Sequence, residues 1–481
     1  MRPVTPYRGV GGVVQDPRPA GIPAGVHTSV PMNRLPTVWL VVLLLAGCAR
    51  THSVAPSVQS IDAETARLTF ETAWTLVDKT DVDPDHGGVD WNAVRARHES
   101  AALACRTRAC LRQVIADMLA ELDRSHFGLL PDDAAAIDTG AAEGRGSVGL
   151  DARWIGDRVI VTRVEADSPA AQAGVQVGWV VESIDGTGLD ATPPQAAPGT
   201  MARYAQEMRA QAWIMAAPAA ATTWAFRDAS GTPQRRTLQP RPPVGIPTRI
   251  GVLPTLHAEC QDRWLTPEEL VAAGADPSRR IGLIRFNIWL PTISAGIDDA
   301  VDRLRQADGI VIDLRGNPGG VGAMAMGVAG HVHDREDSLG TMRTRDTRLE
   351  FRVNPRRSTA DGRSVEPFAG PVVILVDPLT ASTSEIFAAG LQSLGRAHVV
   401  GRTSAGAALP AQMRRLPSGD GILFAFADFT TPSGKAIEGR GVVPDTASGA
   451  TPEAWQAPLD PDLHAAAAWI EQARAKAPSK G

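Results

Sequence analysis

The feature that most constrains this chain is an uninterrupted apolar run, Val372-Val-Ile-Leu-Val376, framed by Pro371 and Asp377. β-Branched and aliphatic residues without polar alternation specify a strand buried on both faces, as in a parallel sheet covered by helices. The run turns into Thr380-Ala-Ser-Thr-Ser-Glu-Ile-Phe-Ala-Ala-Gly390, whose second half has a helical pattern. A hydroxyl at such a strand-to-helix turn lies beside unpaired amides at a helix N-terminus, where developing negative charge is stabilised. Ser384 is accordingly the candidate nucleophile. The same residues admit a plain structural reading, in which Ser382 and Ser384 only cap the helix.

An α/β rhythm surrounds this run. Ile281-Gly-Leu-Ile-Arg-Phe286 and Gly309-Ile-Val-Ile-Asp-Leu-Arg315 read as strands, with a helix from Ala295 to Gln306 between them. His398-Val-Val-Gly401 and Gly421-Ile-Leu-Phe-Ala-Phe-Ala427 read as further strands. Alternation of this kind predicts a largely parallel sheet at 281–457, closed by a helix at 458–476. Upstream, apolar residues largely spaced by three and four (Leu68, Phe70, Ala73, Trp74, Val77, then Leu111, Val114, Ile115, Met118, Leu119, Leu122) predict a bundle of amphipathic helices over 61–130. Short strands and glycine turns follow at 144–240, and Pro-rich Pro240-Arg-Pro-Pro-Val-Gly-Ile-Pro247 opens a linker or irregular stretch at 241–280. The expected fold class is α/β multidomain.

The 481 residues allow two or three domains with proper cores, and a net charge of −5 without a basic patch sets nucleic acid aside. Residues 1–31 read as disordered or as an over-called start preceding Met32. Residues 32–48 read as an export signal: a short basic region, then Val38-Trp-Leu-Val-Val-Leu-Leu-Leu45, too short to span a bilayer comfortably. Leu45-Ala-Gly-Cys48 resembles the bacterial lipobox, which implies lipidation of Cys48, a linker at 49–60 and a periplasm-facing protein. Membrane contact is then through the lipid alone. Ala49 is not the aspartate that retains lipoproteins in the inner membrane, so outer-membrane sorting is expected. Export permits disulfides, and Cys105 and Cys110 lie between two helical patterns where a local bridge closes a turn; Cys260 has no evident partner. Cysteine and histidine spacings give no zinc site, and no metal or cofactor is expected.

Three motifs occur in series: Asp313-Leu-Arg-Gly-Asn-Pro-Gly-Gly320, Ser382-Thr-Ser384-Glu-Ile386, and Ile437-Glu-Gly-Arg-Gly-Val-Val-Pro-Asp445. Before them, Ser168-Pro-Ala-Ala-Gln-Ala-Gly174 and Gly178-Trp-Val-Val-Glu-Ser-Ile-Asp-Gly186 resemble a PDZ core, with Trp179 where an aspartate is usual. Together they strongly resemble the S41 serine peptidases, which include the tail-specific (C-terminal processing) proteases and the core of tricorn protease. The resemblance implies a ClpP/crotonase-like α/β catalytic core behind a helical bundle and a PDZ domain. It also implies a serine-type endopeptidase acting on proteins or peptides through an acyl-enzyme. A PDZ groove would receive a substrate's terminal carboxylate at Ser147, Val148, Gly149 and Leu150.

The two branches of this family activate serine differently. The tail-specific branch uses a lysine within Thr-x-Gly-Lys-Gly, where this chain has Thr403-Ser-Ala-Gly-Ala-Ala-Leu-Pro410 and no lysine. Lys435 is the nearest alternative. The tricorn-like branch uses a histidine after a serine, and Leu122-Asp-Arg-Ser125-His126-Phe-Gly128 matches that pattern. Serine needs an adjacent base, and an imidazole near pKa ~6.5 suits the task. The resemblance implies His126 as base, with Glu438 and Ser125 orienting it. Backbone amides of Gly319 or Gly320, with that of Glu385, are the expected oxyanion hole. Arg315 is expected to tie the glycine loop down. The competing reading is a catalytically inactive S41-like lipoprotein holding peptide or a small apolar ligand; an esterase or aminohydrolase using the same serine is a third.

Overall fold

The computed structural model describes residues 59–132, 146–189, 200–215, 220–251, 253–455 and 460–476. The expected signal segment, Cys48 and most of the 49–60 linker lie outside the described residues. Among the described residues no helix is long and apolar enough to cross a membrane.

The apolar run forms the strand Val372–Val376 near the middle of a six-stranded sheet. The strand order is Thr446–Ala447, His398–Gly401, Val372–Val376, Gly309–Asp313, Ile281–Phe286, Cys260–Trp264. All neighbours are parallel except the last pair. Side chains alternate across the sheet, so Val372, Ile374 and Val376 pack with Ile297, Val301, Ile386 and Phe387 of the helices on one face. Val373 and Leu375 meet Leu463, Ala467 and Ile470 of the helix Pro461–Lys476 on the other. Both faces are therefore dry, which is why the run has no polar alternation.

Residues 241–280, expected as a linker, hold more structure. They supply the hairpin Ile246–Thr248 with Leu256–Ala258, the antiparallel edge strand Cys260–Trp264, and the helix Pro267–Ala272. Thr266 and Glu269 form a reciprocal capping box that starts this helix.

The helical front consists of Ala63–Thr80, Trp91–Ala104 and Arg108–Ala120, capped by Asp62, Asp90 and Thr107. Its core is completed from far along the chain. Phe70, Val77, Leu111, Ile115 and Met118 pack against Leu416, Ile422 and Phe424 of the hairpin Ala411–Arg415/Gly421–Ala425. The strand Gly128–Leu130 pairs antiparallel with Gly421–Leu423. Cys105 and Cys110 form the expected disulfide, with Cα atoms 5.6 Å apart, and Cys260 is free.

Between front and core, Leu150–Ile155, Arg158–Val164, Val180–Ile184, Thr222–Arg227 and Pro233–Leu238 form a five-stranded antiparallel sheet. The helix Thr200–Met215 packs near its first strand. Ion pairs join this unit to the core: the buried Arg153 Nε lies 2.6 Å from Asp377 Oδ2, and half-buried Arg285 bridges Asp151 (2.7 Å) and Asp313 (2.8 Å).

Candidate active site

The strand Val372–Val376 ends at Asp377, and the helix Thr383–Ser393 begins six residues later. At the turn, Ser382 adopts φ 54°, ψ −120°, a region an L-residue occupies at a cost of about 1–3 kcal/mol. The surroundings hold it there. Its amide donates to the Ala407 carbonyl at 2.8 Å and to Glu385 Oε2 at 3.1 Å. The Glu385 carboxylate also collects the amides of Gly406 (2.8 Å) and Ala407 (3.0 Å) and the Ser404 hydroxyl. Wholly buried, it is pushed up to about 7 by desolvation.

Ser384, expected as the exposed hydroxyl of this turn, lies instead in the first turn of the helix with no exposed surface. Its Oγ accepts the Trp289 indole N–H at 2.8 Å and donates to the Asn317 carbonyl at 3.2 Å. Two residues upstream, Ser382 sits on the strained turn and is partly exposed. The exposed turn position therefore belongs to Ser382. The sequence held a signal for this: Ser382-x-x-Glu385 has capping-box spacing, which marks Ser382 as the cap and places Ser384 inside the helix.

Two of the three amides expected as oxyanion donors are already paired. The Glu385 amide bonds the Ser382 carbonyl at 2.8 Å, and the Gly319 amide bonds Asn317 Oδ1 at 3.0 Å. Among the described residues, the amides of Gly320 and Thr383 accept no such claim and remain unpaired. Gly319 (φ 98°) brings the two segments together: a Cβ there would lie 2.7 Å from Ser382 Cβ and 2.9 Å from the Thr383 nitrogen. Arg315 ties the loop down as expected, bonding Asp313, Asp460 and Asp462.

Ser125, His126 and Glu438 are brought together. Glu438 Oε1 accepts the Ser125 amide at 2.9 Å, and Oε2 accepts the Ser125 hydroxyl at 2.9 Å. The Ser125 proton is thus committed to the carboxylate, so Oγ accepts from His126 Nδ1, 2.7 Å away. This fixes the neutral tautomer with hydrogen on Nδ1 and leaves Nε2 as the basic lone pair. Desolvation holds the His126 pKa down at about 4 and pushes Glu438 up. His126 itself sits at φ 61°, a left-handed conformation fixed between the Ser125 anchor and the strand at Gly128.

One dipeptide joins the two halves. The Ala407 carbonyl accepts the Ser382 amide at 2.8 Å, while the next amide, of Ala408, donates to Glu438 Oε2 at 3.0 Å. No hydrogen bond among the described residues links His126 to Ser382 or Ser384. Lys435 is exposed on a turn, its backbone bonded to Thr431. Ser147, Val148 and Leu150 line a cavity of about 390 Å³ with Tyr204, Met208 and Pro318, between the five-stranded sheet and the glycine loop. Gly149, at φ 73°, shapes that loop.

Residues 280–448 match the model of peptidase family S41, and residues 62–120 match the tricorn protease C1 domain. A chloroplastic C-terminal processing peptidase of Tetradesmus obliquus is 27% identical over 404 residues, 82% of this chain and 79% of its own length. A carboxyl-terminal-processing protease of Synechocystis is 26% identical over 381 residues, 78% of each chain. The fold is similar to that of the photosystem II D1 C-terminal processing protease, with TM-score 0.53 and 22% identity over 83% of this chain and 99% of that one. Mature CPAF gives TM-score 0.52 at 13% identity over 85% and 96%. A match to peptidase family S41 thus spans residues 280–448, and over most of its length the chain is similar to the carboxyl-terminal processing proteases.

Proposed function

We propose that this chain is an exported serine endopeptidase with Ser382 as nucleophile and His126 as general base. The observation that carries the reading is the Ser125–His126–Glu438 relay, assembled from residues 313 positions apart in the chain. His126 Nε2 takes the Ser382 hydroxyl proton as Oγ attacks the scissile carbonyl carbon. The imidazolium so formed keeps its Nδ1–H on Ser125, whose own proton rests on Glu438, so the new charge is met without moving a further proton. Negative charge gathers on the carbonyl oxygen, and the unpaired amides of Gly320 and Thr383 are the donors that receive it. His126 then gives its proton to the departing amine, leaving an acyl-Ser382 ester. Water, deprotonated by the same imidazole, hydrolyses that ester and restores the serine.

The loop Ser147–Leu150 and its cavity support docking of a substrate's C-terminal carboxylate in a PDZ-like manner, beside the glycine loop. Lipidation at Cys48 would hold the enzyme on the periplasmic side of the cell envelope, with sorting to the outer membrane. Cys48→Ala is expected to move the protein from the membrane fraction to the soluble fraction. The catalytic assignment is tested with a fluorophosphonate probe and peptide mapping. The label is expected on Ser382, absent from Ser382→Ala and His126→Ala, and retained in Lys435→Met. A label on another serine overturns the assignment.

A further inference from the structure

With Ser382 on the turn, the buried hydroxyl of Ser384 has no place in the bond-making steps, yet its environment is fully specified. It receives the Trp289 N–H and gives its own proton to the Asn317 carbonyl, so both capacities of the hydroxyl are used. Asn317 has no exposed surface; its Nδ2 donates to the Phe286 carbonyl at 2.9 Å and its Oδ1 takes the Gly319 amide. Trp289, equally buried, donates its amide to the Gly319 carbonyl at 2.9 Å and accepts the Val321 amide at 2.8 Å. Its ring is wedged against Phe286 and Phe387, centroids 4.8 and 5.2 Å away. The contacts close a circuit from the nucleophile helix through Ser384 to Asn317, along the glycine loop to Trp289, and back. Within Asn317–Val321, Asn317 donates to Leu314, Gly319 and Val321 are paired as above, and Pro318 has no N–H. Only the Gly320 amide is left over.

We propose that Ser384 is a positioning residue: with Trp289 it clamps the glycine loop to the nucleophile helix and aims the Gly320 amide at the same point as the Thr383 amide. The proposal rests on Ser382 being the nucleophile. A hydroxyl is required because one small group, wholly buried, must accept from an indole and donate to a carbonyl. Alanine does neither and leaves a buried indole N–H unpaired.

Displacing a preorganised donor by a fraction of an ångström weakens transition-state binding while leaving contacts with the rest of the substrate intact. With the full chain and fluorescein-labelled casein, Ser384→Ala is expected to lower kcat by roughly 10- to 100-fold with KM within about twofold. Trp289→Phe keeps an aromatic ring but removes the indole N–H together with the five-membered ring, and its loss is expected to match. Because the two residues act as one clamp, the double variant is expected to be no slower than either single variant. Ser384→Cys, close in size and a weaker hydrogen-bonding partner, is expected to fall between wild type and alanine, and it keeps the test open should Ser384→Ala fold poorly. Wild-type kcat in Ser384→Ala or in Ser384→Cys, losses that multiply in the double variant, or a change in KM alone overturns the proposal. Failure of the underlying reading has a different signature: fluorophosphonate then labels Ser384, and Ser382→Ala remains reactive.

Discussion

Ser125 presents its amide and its hydroxyl to the two oxygens of one carboxylate, Glu438, each at 2.9 Å. This two-point attachment fixes the serine rotamer, and through it the imidazole of His126. Replacing Glu438 by glutamine puts an NH2 donor where one of these oxygens accepts. Glu438→Gln is expected to lower kcat by about 10²- to 10⁴-fold with little change in KM, because the imidazolium loses its support. Steady-state kinetics check this; wild-type kcat would remove Glu438 from the relay.

The second expectation concerns pH. Burial depresses His126 to about 4, so the neutral imidazole persists well below the usual histidine range. A base is active when unprotonated, and kcat/KM is therefore expected to stay level from about pH 7 to pH 5 and to fall with a midpoint near 4. A limb near pH 6.5, the unperturbed value, would contradict the desolvated setting.

Glu385 titrates with the opposite sense for stability. Its folded pKa is raised to about 7 from an ordinary 4.5, so the folded state holds a proton that the unfolded chain has already released. That contribution is complete below about pH 4.5 and is lost as pH rises through about 7. Glu385→Gln is expected to flatten the decline of Tm across this window, measured by thermal unfolding at a series of pH values. An unchanged pH profile counts against it.

Gly319 is the fourth test. Its φ of 98° and the 2.7 Å approach of a Cβ to Ser382 Cβ leave no room for a side chain. Gly319→Ala is expected to push the loop away from the turn and to reduce kcat by about 100-fold or more, since one misplaced oxyanion donor costs that much. Far-UV circular dichroism should remain that of the wild type, and full activity would show that the loop plays no part in catalysis.

Arg153 and Asp377 form a buried pair across two units of the fold, and Asp377 also accepts the Gly316 amide at 2.9 Å. Removing the guanidinium strands a carboxylate without its partner. Arg153→Met is expected to destabilise the protein by about 3–5 kcal/mol in urea unfolding, and Asp377→Asn in the same chain to recover part of that loss. Equal stability of Arg153→Met and wild type refutes the argument.

Much of this was legible in the residues, for reasons that differ by element. The strand Val372–Val376 was readable because burial on both faces leaves an unbroken apolar run, and the meeting of Ser125 and His126 with Glu438 because the residues around each resemble a known pattern. Ser384 was mistaken for the turn residue because two serines stand two apart, and only the geometry of the elbow separates them. The Glu385 amide, read as an oxyanion donor, is instead bonded to the Ser382 carbonyl, and the amide of Thr383 is the unpaired one. The edge strand Cys260–Trp264 escaped notice because Gln261, Asp262 and Arg263 carry no apolar run. Trp289 left no local signal, and Asn317 stood within a motif that did not disclose its side-chain contacts, since both roles exist only once distant segments meet.

The dependence of the helical front on the hairpin at 411–425 has a consequence for synthesis. A ribosome-bound chain that has not yet released this hairpin lacks the wall on which its first three helices settle, and Ser125 has no acid to hold. A chain cut short before residue 411 therefore lacks both the wall of its helical front and the carboxylate that holds Ser125.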